Sequence, residues 1–318
     1  MSRCFLIDGT NVQELALSQI PSALAPGSFL WVHVDGAHED AEQLLSSLVT
    51  IPPVVLTALL ASETRPRASA YEHGALLNMR GLGADNAADG DSLVSIRMWA
   101  EQGRVVSLSY RPMAALDRVI AQMLRGNIHD PGDLITAVAM EITEDLDPYI
   151  AELGDELDTI ESHISDDGKV GVRHRVTMLR AAAISYRRFL APQRQMLERL
   201  VAMPCNWLEP EDRLHIQEAG DRAARMVEEL VAVRERAALT HEALTDLRAE
   251  HMNKQALVLA IVALIFLPLT FVTGLLGMNV EGIPFAHRPW AFWGVTAFSV
   301  AVGGVVGIWF KATRWLQK

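Results

Sequence analysis

The residues with the clearest chemistry are Gly277-Met278-Asn279, which directly follow a long uncharged run. Asn279 carries an amide oxygen, and Gly277 and Met278 add backbone carbonyls. Supplied once per copy in a ring of copies, these make a collar of neutral oxygen ligands. Such a collar cannot strip a small divalent ion of water, because Mg²⁺ gives up its hydration reluctantly, but it can hold the hydrated ion through its waters. Selection would then act on the size and charge of the aquo-ion, and no dehydrated metal site is expected. The same tripeptide also reads as a helix end, with Gly277 as the cap and Asn279 in the turn; the two readings are compatible.

The elements that must position this collar are two apolar runs. Residues 256–276 contain no charge, and at ~1.5 Å per residue they span ~31 Å, about the thickness of a bilayer's hydrocarbon core. Residues 290–310 form a second uncharged run, with Trp290 and Trp293 at one end and Trp309 and Trp315 at the other, where indole rings favour the membrane interface. Only residues 280–289 separate the runs, so they form a hairpin with both chain ends on one side. Two adjacent helices enclose no cavity. Transport across a membrane would therefore need a ring of identical subunits.

Steps of three or four residues along the first run collect Asn253, Ala256, Leu259 (or Ala260), Ala263, Leu267, Thr270 and Gly274 on one face. This face has polar ends, small residues and a hydrophobic constriction at Leu267. A stripe of small and hydroxylated residues also suits tight packing against a neighbouring helix, and taken alone that is the better reading of this face. The face carries no carboxylate, imidazole or thiol, whereas Zn²⁺ prefers nitrogen and sulfur ligands. A pore built from it would pass hydrated ions, with Leu267 and Leu259 able to gate by dewetting.

The rest of the chain sets broader limits. Of its 318 residues 50% are hydrophobic and 21% charged, so the membrane part is a minority. Met1-Ser2-Arg3-Cys4 leads into short mixed segments without a signal-peptide pattern. Cys4 and Cys205 are the only cysteines and lack zinc-site spacing, which fits a reducing compartment. Residues 1–130 read as a small α/β domain, with strands at 29–34, 76–82, 93–100 and 104–110 and helices at 37–48, 53–60 and 114–124. The last two strands join as a hairpin through Gln102-Gly103. No nucleotide-binding glycine pattern, nucleophile elbow or His-Glu helix motif occurs there, so no catalytic residue is assigned. Asp35, His38 and Glu39 lie close in sequence, but a solvated strand-to-helix turn explains them better than a metal site. Arg65-Pro66-Arg67 reads either as a clamp on a carboxylate or as a subunit contact.

Residues 131–252 read as helical. Positions 141–167 hold eleven acids and no Lys or Arg, matching the chain's whole net charge of -11. Positions 169–199 reverse the sign, with Arg173, Arg175, Arg180, Arg187, Arg188, Arg194 and Arg199 beside Lys169 and the single acid Glu198. A turn at Asp166-Asp167-Gly168 implies an antiparallel acidic–basic pair; the alternative is a surface that concentrates or senses cations. A further helix runs from Glu211 into the first apolar run. Carrying the candidate pore face backward along it brings Glu242, Asp246 and Glu250 toward the axis as an acidic funnel. His241 and His251 fall off that phase. Lys311, Arg314 and Lys318 follow the second run, and Arg248 and Lys254 precede the first. The positive-inside rule thus places both termini in the cytoplasm. Neither run contains an ionisable residue, so proton coupling would have to use Glu281, His287 or the acidic funnel.

The segment Pro268-Leu269-Thr270-Phe271-Val272-Thr273-Gly274, followed by Gly277-Met278-Asn279, resembles the signature of the CorA superfamily of divalent-cation transporters. The likeness covers the whole chain in order. Ser62-Glu63-Thr64-Arg65-Pro66-Arg67, Ala191-Pro192-Gln193-Arg194 and the loop Val280-Glu281-Gly282-Ile283-Pro284 are similar to its ZntB zinc-transporter branch, while Met278 is typical of magnesium-transporting members. The resemblance implies an α+β membrane protein, a funnel-shaped homopentamer whose subunits each carry a long helical stalk and two transmembrane helices. The expected parts are a cytoplasmic domain (1–130), helices and stalk (131–252), a pore-lining helix (253–279), a periplasmic loop (280–289), a second span (290–310) and a basic tail (311–318). It also implies Zn²⁺ transport across a bacterial inner membrane, with Mg²⁺, Co²⁺, Ni²⁺ or Cd²⁺ as further cargo, no cofactor, no enzyme activity and no nucleic-acid partner. Two other readings share these observations: a CorA-type Mg²⁺/Co²⁺ channel with passive hydrated-ion flux, and a membrane-anchored signalling or scaffold protein.

Overall fold

The computed structural model describes residues 2–21, 24–48, 51–61, 65–84, 93–163, 170–279, 282–283, 285 and 288–315. The chain divides into two compact units, Met1–Glu242 and Ala243–Lys318.

The first unit opens with a hairpin that the sequence reading did not assign. β1 (Arg3–Asp8) and β2 (Asn11–Leu15) pair antiparallel, and the Asp8↔Asn11 pair leaves Gly9-Thr10 as a two-residue loop. Gly9 sits at φ 58, a left-handed conformation that glycine adopts without steric cost. A short 3₁₀ turn (Leu17–Gln19) leads to β3 (Ser28–Asp35). Next come α1 (Ala41–Leu48), α2 (Pro53–Leu60), β4 (Arg67–Ala70), β5 (Gly74–Leu82), β6 (Leu93–Glu101), β7 (Arg104–Ser109) and α3 (Ala114–Leu124). The seven strands form one sheet in the order β2-β1-β3-β7-β6-β5-β4, and β3–β7 is its parallel pair.

One sheet face carries Leu30, Val32, Val34, Leu76, Trp99, Val106 and Leu108, packed with Ala41 and Leu45 of α1 and Val55 and Leu59 of α2. Alternate positions turn to the other face, where Phe5 stacks on Trp31 at 5.5 Å. There α4 (Pro131–Ser162) approaches closely enough that a Cβ at Gly81 would lie 3.0 Å from Ile142. Both faces of the sheet are covered, which explains why β3 reads as a continuous apolar run.

Several expected bounds move, β5 for instance opening at Gly74 rather than residue 76. α1 begins at Ala41 rather than residue 37, because the Asp35 carboxylate accepts the Ala37 N–H at 3.1 Å and the Asp35 carbonyl accepts the His38 N–H at 3.2 Å, holding the segment in turns. β7 stops at Ser109, one residue early. Asp130 caps α4 by accepting the Asp133 N–H at 2.9 Å, and Pro131 follows at the first helical position, where no N–H is needed.

α5 (Val170–Val201) and α6 (Pro210–Leu276) complete the helical part, and α6 belongs to both units. The acidic α4 is neutralised more widely than by α5 alone. Arg175 of α5 reaches Glu156 at 2.7 Å, but Arg118 of α3 binds Glu141 and Asp145, Arg222 of α6 reaches Glu144 at 3.2 Å, and Arg236 of α6 binds both Asp158 and Glu161. Asp166-Asp167-Gly168 lie outside the described residues.

The second unit holds the remainder of α6 and α7 (Trp290–Trp315). Two stretches in it, the apolar part of α6 and Trp290–Trp309, are long and apolar enough to cross a membrane, and 0% of either is buried within the chain.

Candidate functional site

Within the second unit, partial burial follows one stripe on each helix. On α6 it runs through Ile261, Ile265, Leu269, Val272 and Leu276; on α7 it includes Ala291, Val295, Ser299, Val302 and Val306. Steps of three or four residues keep each set on a single face. The candidate pore residues Asn253, Ala256, Leu259, Ala263, Leu267, Thr270 and Gly274 are all exposed, Leu267 at 73% and Leu259 at 70%. At ~100° per residue their mean direction lies about 180° from the half-buried stripe of α6. The small and polar face thus points away from the face this helix covers with its own chain.

The end of α6 follows from local sterics. The Gly277 N–H donates to the Thr273 carbonyl at 2.9 Å, and a Cβ at Gly277 would crowd that carbonyl at 3.1 Å. The Thr273 hydroxyl turns back onto the Leu269 and Thr270 carbonyls at 2.9 and 3.2 Å, which saturates it within the helix. Gly277, Met278 and Asn279 follow as exposed turn and loop residues. Glu281 and His287 lie outside the described residues. Between them, Phe285 has φ 61 and sets its ring 5.1 Å from Trp290, and its carbonyl accepts the Arg288 N–H at 2.9 Å ahead of α7.

Of the candidate funnel acids, Glu242, Asp246 and Glu250 are exposed on α6. Glu250 is already engaged: the Lys254 ammonium sits 2.6 Å away, one turn on, and its hydrogen bond holds the carboxyl below the usual carboxylate range. The Arg173 guanidinium donates to the His241 Nε2 at 3.3 Å, and His251 is exposed.

Among the described residues no three His, Cys, Asp or Glu side chains converge to hold a metal ion. The Asp35-His38-Glu39 segment is the strand-to-helix turn described above, with His38 3.7 Å from Asp40. A polar relay that sequence reasoning missed lies beneath the other sheet face. The Trp31 Nε1–H donates to the Ser107 hydroxyl at 2.9 Å, and His33 lies 2.9 Å from Ser107 and 3.4 Å from Ser109. Burial pushes the His33 ring down to about 4, so it is neutral near pH 7. Its signal in the sequence was two serines at alternate positions in β7 opposite a histidine in β3.

The two motif segments in the first unit meet on β5. β4 pairs with β5 only as far as Arg67↔Asn78, and the next inward N–H, that of Arg80, donates to the buried Gln193 side-chain oxygen at 2.7 Å. The Asn78 amide donates to the Arg65 carbonyl at 2.8 Å, and the Arg80 guanidinium lies 3.9 Å from the centre of the Phe189 ring. Ala191-Pro192-Gln193-Arg194 and Arg65-Pro66-Arg67 therefore help build the sheet edge. Ser62-Glu63-Thr64 lie outside the described residues.

Comparison with known proteins adds a family. The sequence profile described as CorA-like Mg²⁺ transporter protein matches residues 26–312. The zinc transport protein ZntB of Yersinia enterocolitica is 29% identical over 316 residues, covering 98% of this chain and 95% of that protein. The divalent cation transporter CmaX of Pseudomonas aeruginosa is 32% identical over 301 residues, covering 92% and 89%. Among solved structures, full-length CmaX superposes with a TM-score of 0.83 at 29% identity over 98% of this chain and 97% of that one. The CorA magnesium transporter of Methanocaldococcus jannaschii gives 0.81 at 19% identity over 97% of each chain, a likeness of fold. A profile match across most of the chain, with relatives aligned nearly end to end, places this protein in the CorA family, whose members are membrane transporters and not enzymes.

Proposed function

We propose that this CorA-family divalent-cation transporter carries Zn²⁺ across a bacterial inner membrane, through a pore on the axis of a homopentamer lined by the first span. The supporting observation is the exposed small and polar face of α6, opposite its half-buried stripe and ending at Gly277-Met278-Asn279. Copies brought together through that face would enclose a lumen with Asn253 at one end and the Asn279 collar at the other, termini in the cytoplasm and residues 280–289 outside. The collar would hold the hydrated ion through its waters. Leu259 and Leu267 would form the apolar constriction, and the lining would let the aquo-ion pass intact because it offers no carboxylate, imidazole or thiol to replace water. Glu242 and Asp246 would draw cations at the inner end. Glu281, His287 and the funnel acids are the candidates for proton coupling, since the spans have no ionisable side chain. Relatives named as zinc and as divalent-cation transporters favour Zn²⁺ as cargo.

A second reading, a Mg²⁺/Co²⁺ channel with passive flux, is favoured by Met278 and by the purely neutral oxygen collar. One experiment addresses both. Liposomes containing the full-length protein are loaded with a Zn²⁺- or Mg²⁺-sensitive dye and assayed with and without a pH gradient. Zn²⁺ entry that is lost in Asn279→Ala, with the oligomer intact by size, is the expected result. Mg²⁺ entry indifferent to the gradient would establish the second reading. Full transport by Asn279→Ala would remove the collar from either.

A further inference from the structure

Two long helices of the first unit begin side by side. α4 starts behind Asp130, and α6 starts behind Glu209, whose N–H donates to the Asp212 carboxylate at 2.8 Å. Asp212 is only 5% exposed. It lies against Gly132 in the first turn of α4: a Cβ built there would stand 2.1 Å from Asp212 Oδ2 and 2.8 Å from the Trp207 carbonyl oxygen. Glycine is thus required at 132. Its bare Cα lets the Asp212 carboxyl oxygen and the Trp207 carbonyl oxygen both come close on the same side of residue 132.

The charged groups facing Asp212 are Asp130 and Asp133 of α4 and Glu209 at its own helix start. The adjacent Arg213 does not offset them, because its guanidinium is turned to the Val201 and Cys205 carbonyls. His129 lies 3.2 Å from the Asp133 carboxylate. A carboxylate buried among like charges is costly, whereas a neutral carboxyl there carries an O–H donor.

We propose that Asp212 is a proton-binding site of this protein, and that its proton closes the seam between the starts of α4 and α6 by giving the carboxyl a hydrogen bond to the Trp207 carbonyl. Burial pushes the carboxyl up to about 6; the three acidic neighbours reinforce this and the Glu209 N–H opposes it. The folded-state value lies above that of an unfolded Asp, ~3.9. The stabilisation from this group is therefore complete below ~4 and is lost as pH rises through about 6. Because α6 is the helix that continues into the first span, the seam gives pH a hold on the pore-lining element; this last step rests on the conduction reading, while the proton site does not.

The test is thermal unfolding of the full-length protein in detergent between about pH 5 and about pH 8, comparing wild type with Asp212→Asn. The amide keeps an oxygen for the Glu209 N–H but takes up no proton. The expected result is a gap in melting temperature that favours the variant at the alkaline end and narrows by several degrees on acidification, the narrowing setting in as pH falls through about 6. Taking the gap between the two proteins removes groups common to both, such as His33. A gap that stays constant across the range overturns the proposal. Asp133→Asn removes one like charge and should move the onset of the pH response to lower pH; an unmoved onset also overturns it, and this arm stands alone if Asp212→Asn does not fold. Melting reads the proton site whether or not metal moves, so its failure is distinct from failure of the transport assay.

Discussion

The two units of this chain treat their side chains in opposite ways. In residues 1–242, large apolar groups such as Trp31, Phe5 and Leu76 are fully buried, and the acids of α4 find arginines on α3, α5 and α6. After Leu244, no described residue is buried, and Leu267, Phe271, Trp293 and Ile308 are each largely exposed. The first unit buries an apolar core within one chain. The second does not, and its apolar surface far exceeds what water tolerates on a monomer. In the proposed pore its remaining partners are lipid and further copies. On that reading a fold can be legible in one chain while the site belongs to an assembly.

This contrast is open to direct test. Trp31→Ala removes a fully buried ring stacked on Phe5 and the donor to Ser107, and should cost about 3–5 kcal/mol in unfolding experiments. A loss below about 1 kcal/mol would mean that the sheet does not carry the stability of the first unit. Arg236→Ala leaves Asp158 and Glu161 without their shared cation and should cost about 1 kcal/mol, less at high salt because the group is well exposed. A salt-independent cost would show that packing, not charge, holds that contact. Leu267→Ala should change stability by under about 0.5 kcal/mol yet raise basal ion flux in liposomes. Unchanged flux would remove Leu267 as the gate, and a large drop in stability would show that this face is packed within one chain.

Much of the fold was readable because periodicity reports burial. β5, β6 and α3 fall close to their expected limits, and the Gln102-Gly103 hairpin forms as expected, with Glu101 opposite Arg104. β4 was missed because Arg-Ala-Ser-Ala contains no strong strand former; its pairing with β5 makes it a strand. β1 and β2 carried a signal in Asp8-Gly9 between short segments, which the reading passed over. The charge reversal between α4 and α5 indicated that the acids would be neutralised, but a count of charges cannot say which arginine reaches which acid; α3 and α6 supplied most of them. At the candidate site, a period of three or four residues identifies a face but not what it meets. The half-buried stripe identifies the opposite face as the one covered within the chain. The Glu250–Lys254 pair was legible one turn apart, and it leaves the funnel with less free negative charge than three acids suggest.

The bond from the Arg80 N–H to Gln193 has a consequence for assembly. It occupies a main-chain donor just where β4 gives out, so at that point β5 offers a neighbour's strand no free N–H to pair with. In the proposed assembly this would favour contacts between helices, which can slide and tilt without tearing a hydrogen-bonded ribbon.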